Sequence, residues 1–291
     1  MRHPSAFCLP PSAFGAIRNA TLALTDAGEA SPRLTAEVLL AHVLGVTRTR
    51  LLSRPEQPLA SEIRARFEGL VARAAAGEPL AYLTGCREFY GLDFVVDTRA
   101  LVPRPETELL IDLGLSHPHT HTPTHILDVG TGSGCLAVTL AVHCPSARLT
   151  AVDLSADALG LARLNARRHG VSDRITFLQS DLLSFCLSLS LSFDLLCANL
   201  PYLPSAELPG LPFARFEPGL ALDGGPDGLD LIRRLLAEAP RVMASGGCLL
   251  LEINDEKAAS VCAIARAAFP RARVIVHKDL AGLDRVVAIT L

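Results

Sequence analysis

Ile126-Leu127-Asp128-Val129-Gly130-Thr131-Gly132-Ser133-Gly134 decides the fold. An apolar strand runs straight into a Gly-x-Gly-x-Gly loop, and Leu136 to Val142 follows as an apolar helix. Glycine accepts positive φ and lets backbone N–H groups approach a ligand closely. The start of the following helix aims further N–H donors at the same spot. Gly130, Thr131, Gly132, Ser133 and Gly134 are therefore the expected cradle of a small molecule.

Outward from this loop the chain alternates strand and helix. Ile126–Val129, Leu149–Val152, Ile175–Leu178, Leu195–Ala198, Cys248–Ile253, Val274–Val276 and Val286–Ile289 read as strands, with helical stretches between most of them. That alternation predicts a seven-stranded, doubly wound, parallel α/β sheet, a Rossmann-like domain over 106–291. A dinucleotide fingerprint would want glycine where Cys135 stands. The tighter glycine spacing fits S-adenosyl-L-methionine instead. Asp153, at the end of the second strand, is placed to accept hydrogen bonds from both ribose hydroxyls. Asp181 and Leu182 follow the third strand, where one would edge an adenine and the other cover it.

The fourth strand ends in Asn199-Leu200-Pro201-Tyr202. Ligands of open α/β sheets bind at the carboxyl ends of the strands, so Asn199 is expected in the cofactor crevice. The Asn199 side-chain oxygen and the Leu200 carbonyl are acceptors. Pro201 fixes its φ and lacks a competing N–H. Tyr202 offers a ring to pack on a planar group. Two acceptors and a ring suit the holding of a planar –NH2, with its lone-pair face turned to a methyl donor. The reaction is then in-line methyl transfer, governed by orientation and needing no strong general base. The motif does not separate a glutamine amide from an adenine or cytosine amino group.

Upstream the pattern changes. Leu34, Val38, Leu39, His42 and Val43, then Ile63, Phe67, Leu70 and Val71, recur at helical spacing. Ser31-Pro32 marks a helix start, and Gly45 and Gly77 mark stops. Residues 1–80 thus read as a small all-α domain. Phe89 to Val96 alternates like a strand around a turn at Gly91, and Val102-Pro103-Arg104-Pro105 ends it, so 81–105 reads as a β-hairpin linker. His117, His119, His121 and His125 punctuate a Pro/Thr-rich stretch without acidic or Cys company and read as a solvated loop, not a metal site. The Leu-Ser alternation from Phe185 to Phe193 reads as a strand's lead-in or a connection.

Composition bounds the remainder. The 291 residues are 49% hydrophobic and 20% charged, enough for a buried core and against disorder. A formal net charge of -3 argues against a partner gripped through phosphates, and no direct nucleic-acid contact is expected. The 8 cysteines form no C-x-x-C pair, and several sit in apolar runs, which points to a reducing, cytoplasmic setting. The first residues, Met1 to Pro11, do not read as a secretory signal, and the sequence holds no uninterrupted apolar run of about 18 residues to span a membrane.

Several further motifs accompany the glycine loop and Asn199. They are Pro79-Leu80-Ala81-Tyr82-Leu83-Thr84-Gly85, Phe89-Tyr90-Gly91-Leu92, Val102-Pro103-Arg104-Pro105-Glu106-Thr107-Glu108, Phe216-Glu217-Pro218, Asp223-Gly224-Gly225 and Gly282-Leu283-Asp284-Arg285-Val286-Val287. With them the chain resembles, over nearly its whole length, the release-factor glutamine N5-methyltransferase family (HemK/PrmC-like). The resemblance implies that Gly130 to Gly134, Asp153, Leu182 and Asn199 contact S-adenosyl-L-methionine, and that Asn199 to Tyr202 hold a glutamine. It implies as substrate the Gly-Gly-Gln glutamine of a class-1 peptide chain release factor, with the helical domain helping to dock it. A monomer is expected. The family usually carries Asn-Pro-Pro-Tyr, and Leu200 stands at the first proline, a change expected to loosen the loop at a cost of about 1 kcal/mol through unfolded-state entropy. Asn-Leu-Pro-Tyr also occurs in ribosomal-RNA adenine N6-dimethyltransferases, which lack the Arg104-Pro105-Glu106 segment. Ribosomal-protein glutamine methyltransferases are the nearest alternative.

Overall fold

The structure is a computed structural model that describes residues 12–117 and 124–291. The leader reading on Met1 to Pro11, and His119 and His121 of the histidine stretch, lie outside the described residues. The chain divides into two compact units, Met1–Gly85 and Cys86–Leu291.

The first unit is helical: α1 (Ala13–Asp26), α2 (Pro32–Leu44), α3 (Arg48–Leu52), α4 (Ser61–Ala75) and α5 (Leu80–Thr84). Ser12 caps α1 by accepting from the Gly15 N–H, and Gly45 ends α2 in the left-handed region at φ 64°. The core gathers Leu24, Leu39, Leu40, Val43, Phe67 and Val71. The helical spacing on α2 is right in period but one stripe off, because Leu34 stays 43% exposed. The buried face includes Glu37 instead, whose carboxylate is shared by Arg33 at 2.8 Å and Arg48 at 2.7 Å. A buried charge is tolerable only when paired in this way.

The second unit opens with a hairpin, β1 (Cys86–Phe89) and β2 (Leu92–Val95), turned by Tyr90 and Gly91, both at positive φ. A 3-10 turn at Pro105–Thr107 leads into α6 (Glu108–Leu115). Then follow β3 (His125–Val129), α7 (Cys135–His143), β4 (Arg148–Asp153), α8 (Ala156–Arg168), β5 (Ile175–Gln179), α9 (Ser184–Ser188) and β6 (Phe193–Ala198). The chain closes with α10 (Asp230–Glu238), β7 (Met243–Glu252), α11 (Ala258–Ala268), β8 (Arg273–Lys278) and β9 (Asp284–Thr290). Seven strands form one sheet in the order β5-β4-β3-β6-β7-β9-β8.

Two departures from the strand reading are local. Only β9 runs antiparallel to its neighbours, because β8 and β9 are joined by a tight turn without a crossover helix. In addition β7 begins at Met243, ahead of the expected Cys248, and its register against β6 slips between Phe193 and Leu195. The Ser245-Gly246-Gly247 stretch ahead of Cys248 is a bulge within the strand, with Gly246 at φ 78°. The Leu-Ser alternation becomes the short helix α9 and a turn, with Ser190 at φ 52°. Among the described residues no helix is long and apolar enough to cross a membrane.

The sheet buries Leu127, Val129, Val152, Leu196, Ala198, Leu249 and Leu251 in a core that also takes in Leu182, Leu183 and Leu200. The carboxyl ends of β3, β4, β5 and β6 are thereby aligned, and the loops leaving them meet at one rim. At the central switch, β3 hands the chain outward to β4 while β6 lies on its other side. This is where a doubly wound sheet opens a crevice.

Candidate active site

The glycine loop is fixed by the strand beside it. Gly130 and Thr131 donate their backbone N–H groups to the Val152 carbonyl at 2.9 and 3.0 Å. Asp128 lies below the loop, fully buried, and accepts from the Thr131 hydroxyl at 2.6 Å and the Ala137 N–H at 3.2 Å. One carboxylate thus joins β3, the loop and the first turn of α7. Asn165 of α8 does the same from the other side. It is fully buried, accepts from the Val95 N–H at 2.8 Å and donates to the Val95 and Ser133 carbonyls at 3.0 and 2.9 Å. The hairpin is therefore locked to the glycine loop through one amide. Nothing in the local sequence around Asn165 announces this, since its partners are 32 and 70 residues away.

Asp153 stands at the end of β4 as expected. Its two oxygens accept from the Gly132 N–H at 2.9 Å and the Ser155 N–H at 2.8 Å, and burial raises its pKa against those same N–H bonds. Each oxygen keeps a second lone pair, so two hydroxyls could still be accepted. Leu182 is buried at positive φ, and the Ser180 hydroxyl donates to its carbonyl at 2.9 Å. Asp181 is exposed and ion-paired to Arg234 at 2.7 Å.

Gly130 to Ser133, Asp153, Asp181, Leu182, Asn199, Leu200 and Pro201 all line one cleft of about 560 Å³. That volume is in the range of small-molecule sites. Gly134 sits behind the wall and Tyr202 outside it. Side chains are absent where Gly130 and Gly132 face the cleft, and the Asp153 carboxylate stands beside them, while the Gly130, Thr131, Gly132 and Gly134 N–H groups are taken up within the fold.

The Asn199 loop is held from three directions. Asn199 Nδ2 donates to the Thr107 hydroxyl at 3.0 Å. Leu200 is 3% exposed, and its Cδ2 would stand 3.2 Å from a Cβ placed on Gly130. Its burial is worth about 1.5–3 kcal/mol, which offsets the entropy lost with the missing proline. Leu200 is thus packed into the core, and the sequence departure does not leave a slack loop. Behind Tyr202 the Asp223-Gly224-Gly225 motif finds its reason. The Leu203 N–H donates to the Leu222 carbonyl at 3.1 Å and the Gly224 N–H to the Leu203 carbonyl at 2.9 Å, and a Cβ on Gly224 would meet the Pro201 oxygen and Tyr202 Cα at 2.8 Å. Two motifs that are separate in sequence also meet here. Arg104 bonds the buried Glu217 carboxylate at 2.6 Å and lies 5.6 Å from the Phe213 ring centroid.

Three acids near the site are driven up by burial. Asp128 and Glu252 are each pushed up to about 7 and Tyr202 to about 12, Tyr202 also by the Glu252 charge. Tyr202 is therefore a neutral phenol at ordinary pH. Asp128 and Glu252 bind their proton more tightly folded than unfolded. Between the ordinary carboxylate range and about 7 the native state holds more protons, so stability falls as pH rises through that window. Glu37, Asp97 and Asp279 are held low by their partners, and oppose this only under acid conditions. Calorimetry of the ligand-free protein is expected to give a melting temperature at pH 5.5 above that at pH 8, by a shift on the order of 5 °C. A flat profile would mean that both carboxyls stay ionised throughout.

Comparison with known proteins follows the same division. Residues 15–85 match the PrmC N-terminal domain family and residues 126–211 a methyltransferase domain family. The release factor glutamine methyltransferase of Moorella thermoacetica is 45% identical over 93% of this chain and 95% of its own. That of Chlorobaculum tepidum is 43% identical over 87% and 88%. A methyltransferase structure from Pyrococcus furiosus covers 79% of this chain and 98% of its own at 18% identity, with a TM-score of 0.50, and bears on the fold alone.

Proposed function

The chain belongs to the release factor glutamine methyltransferase family, and from that premise we propose how its cleft carries out the reaction. The protein is an S-adenosyl-L-methionine-dependent enzyme that methylates a glutamine of a peptide chain release factor. The proposal concerns the residues that do so and the finer identity of the substrate.

The glycine loop from Gly130 to Gly134 lets the cofactor's amino-acid and ribose portion lie close to the backbone, with no side chain at Gly130 or Gly132, and Asp153 takes the ribose hydroxyls. Leu182 covers the adenine, and Asp181 edges it with the lone pairs that its bond to Arg234 leaves free. When bound, S-adenosyl-L-methionine supplies an electrophilic methyl group.

Asn199 Oδ1 and the Leu200 carbonyl accept the two N–H bonds of the glutamine amide, while Tyr202 stacks on its plane. Both acceptors strengthen as positive charge grows on the amide nitrogen, so they favour the transition state over the ground state. The amide lone pair, normally spread into the carbonyl, is held facing the donor. Preset geometry of this kind is worth effective molarities of about 10⁵ M or more. The surplus proton leaves to water after the new C–N bond forms, which is why a neutral Tyr202 suffices.

The observation that carries this reading is the Asn199 amide at the carboxyl end of β6, lining the cleft with its nitrogen already engaged by Thr107. The finer reading takes the substrate as the Gly-Gly-Gln glutamine of a class-1 factor, methylated at N5. It takes the enzyme as a cytoplasmic monomer that touches no nucleic acid, in keeping with its net charge of -3. Mass spectrometry of a recombinant class-1 factor, incubated with the protein and S-adenosyl-L-methionine, is expected to gain one methyl on that glutamine. No gain while the cofactor still binds would redirect the search to ribosomal protein and RNA.

A further inference from the structure

Asn amides are symmetric in shape and opposite in chemistry. An Asn199 turned by 180° would show the substrate an –NH2 in place of an oxygen. Two donors would then face each other, and the site would repel the group it must hold. Something must therefore fix which end of Asn199 faces outward.

Thr107 is placed to do so. It is 2% exposed and ends the 3-10 turn Pro105–Thr107, where its N–H bonds the Arg104 carbonyl at 3.1 Å. That turn is stiffened by Pro103 and Pro105 and tied to the opposite loop through Arg104 and Glu217. Thr107 is itself β-branched and stiff at χ1. Its hydroxyl oxygen receives Asn199 Nδ2 at 3.0 Å.

A hydroxyl can donate as well as accept, so Thr107 discriminates only if its own proton is committed elsewhere. Glu252, at the end of β7, supplies that commitment. It is 1% exposed, and both its oxygens are buried without a partner at ordinary hydrogen-bond geometry. Against burial, which raises the Glu252 pKa, the Thr107 hydroxyl is the neighbour that most favours its charged form. A carboxylate is an acceptor wall. Once Glu252 is ionised, above about pH 7, it can only accept, so Thr107 sends its proton inward and turns its lone pairs to Asn199.

We propose that Thr107 is a positioning residue for methyl transfer, which accepts from Asn199 Nδ2 in front of the buried Glu252 and so holds Asn199 Oδ1 toward the substrate amide. This rests on the assignment of Asn199 as a substrate acceptor. Thr107 does its work through Asn199 and needs no contact with the reacting atoms.

The test is a double-mutant cycle on the full chain with a release factor as substrate. Thr107→Val keeps shape and removes the hydroxyl, and Thr107→Ser keeps the hydroxyl. Thr107→Val is expected to lower kcat by about 10- to 100-fold, the scale of a misplaced catalytic contact. Its cofactor affinity should stay within about threefold of wild type and Thr107→Ser should restore most of the rate. In an Asn199→Ala background Thr107→Val should cost almost nothing more, because its effect has no remaining target. Wild-type kcat in Thr107→Val, or the same fold-loss with and without Asn199, would overturn the proposal while leaving the Asn199 assignment standing. Wild-type turnover in Asn199→Ala alone would instead overturn that assignment, and this proposal with it.

Discussion

Asn199→Ala is expected to lower turnover by about 10²- to 10³-fold, the usual cost of one pre-aligned polar group that acts on developing charge. The change removes an acceptor and adds nothing in its place. The Leu200 carbonyl remains, so one amide N–H is still held, and some rate survives. The glutamine amide is then free to rotate about that single bond, and its lone-pair face meets the methyl donor only part of the time. Cofactor affinity should change little, because the glycine loop and the Asp153 carboxylate are untouched. Folding should change little as well. Asn199 is half-buried, and the hydrogen bond it loses to Thr107 is worth about 1 kcal/mol. A kcat that falls with nearly constant KM is the mark of an interaction made in the transition state. Single-turnover methylation of a release factor, followed beside calorimetric cofactor binding, separates these quantities. Wild-type turnover would remove Asn199 from the mechanism. A collapse of cofactor binding would make it a cofactor ligand before all else.

What the sequence made legible was whatever is local. The strand–glycine loop–helix of residues 126–142, the strand ends at Asp153 and Asn199 and the positive-φ turn at Gly91 depend on neighbours a few residues away. Each lies where the sequence reading put it. Less legible was what depends on contacts distant in the chain. Asn165 looks like any helical polar residue, yet it is the amide that ties hairpin to loop. Glu37 looks like a surface charge until two arginines are folded around it. Thr107 sits in a motif that reads well as a plain helix start, and its link to Asn199 spans 92 residues. Leu200 shows the same limit from the other side. Read as a departure from a rigid Pro-Pro pair it predicts a looser loop, whereas in three dimensions its side chain fills the space over Gly130. The β7 bulge escaped because the strand pairing on either side of it is set by β6.

Gly134→Ala is expected to be the most damaging single methyl in the glycine loop. Gly134 has φ 83°, and a Cβ there would lie 3.0 Å from the Ala162 Cβ and 3.1 Å from its Cα. Ala162 is fully buried on α8 and is no flexible chain end that could swing aside. The added methyl therefore has to push α7 and α8 apart or twist the loop. The left-handed conformation alone costs a non-glycine residue about 1–3 kcal/mol. Overpacking against a rigid neighbour adds about 1–3 kcal/mol more. The displaced loop carries the Gly130 and Gly132 N–H groups with it, and Asp153 loses its bond from Gly132 as they move. Cofactor affinity should fall by about tenfold or more together with the melting temperature. Gly170→Ala isolates the backbone part of this effect. Gly170 has φ 67° with nothing within 4 Å of its would-be Cβ, and it lies beyond the C-terminus of α8, away from the cleft. It should lose stability by about 1 kcal/mol and bind cofactor normally. Equal losses in the two variants would show that α8 yields at Ala162, and that the third glycine serves the turn and not the close approach of the two helices.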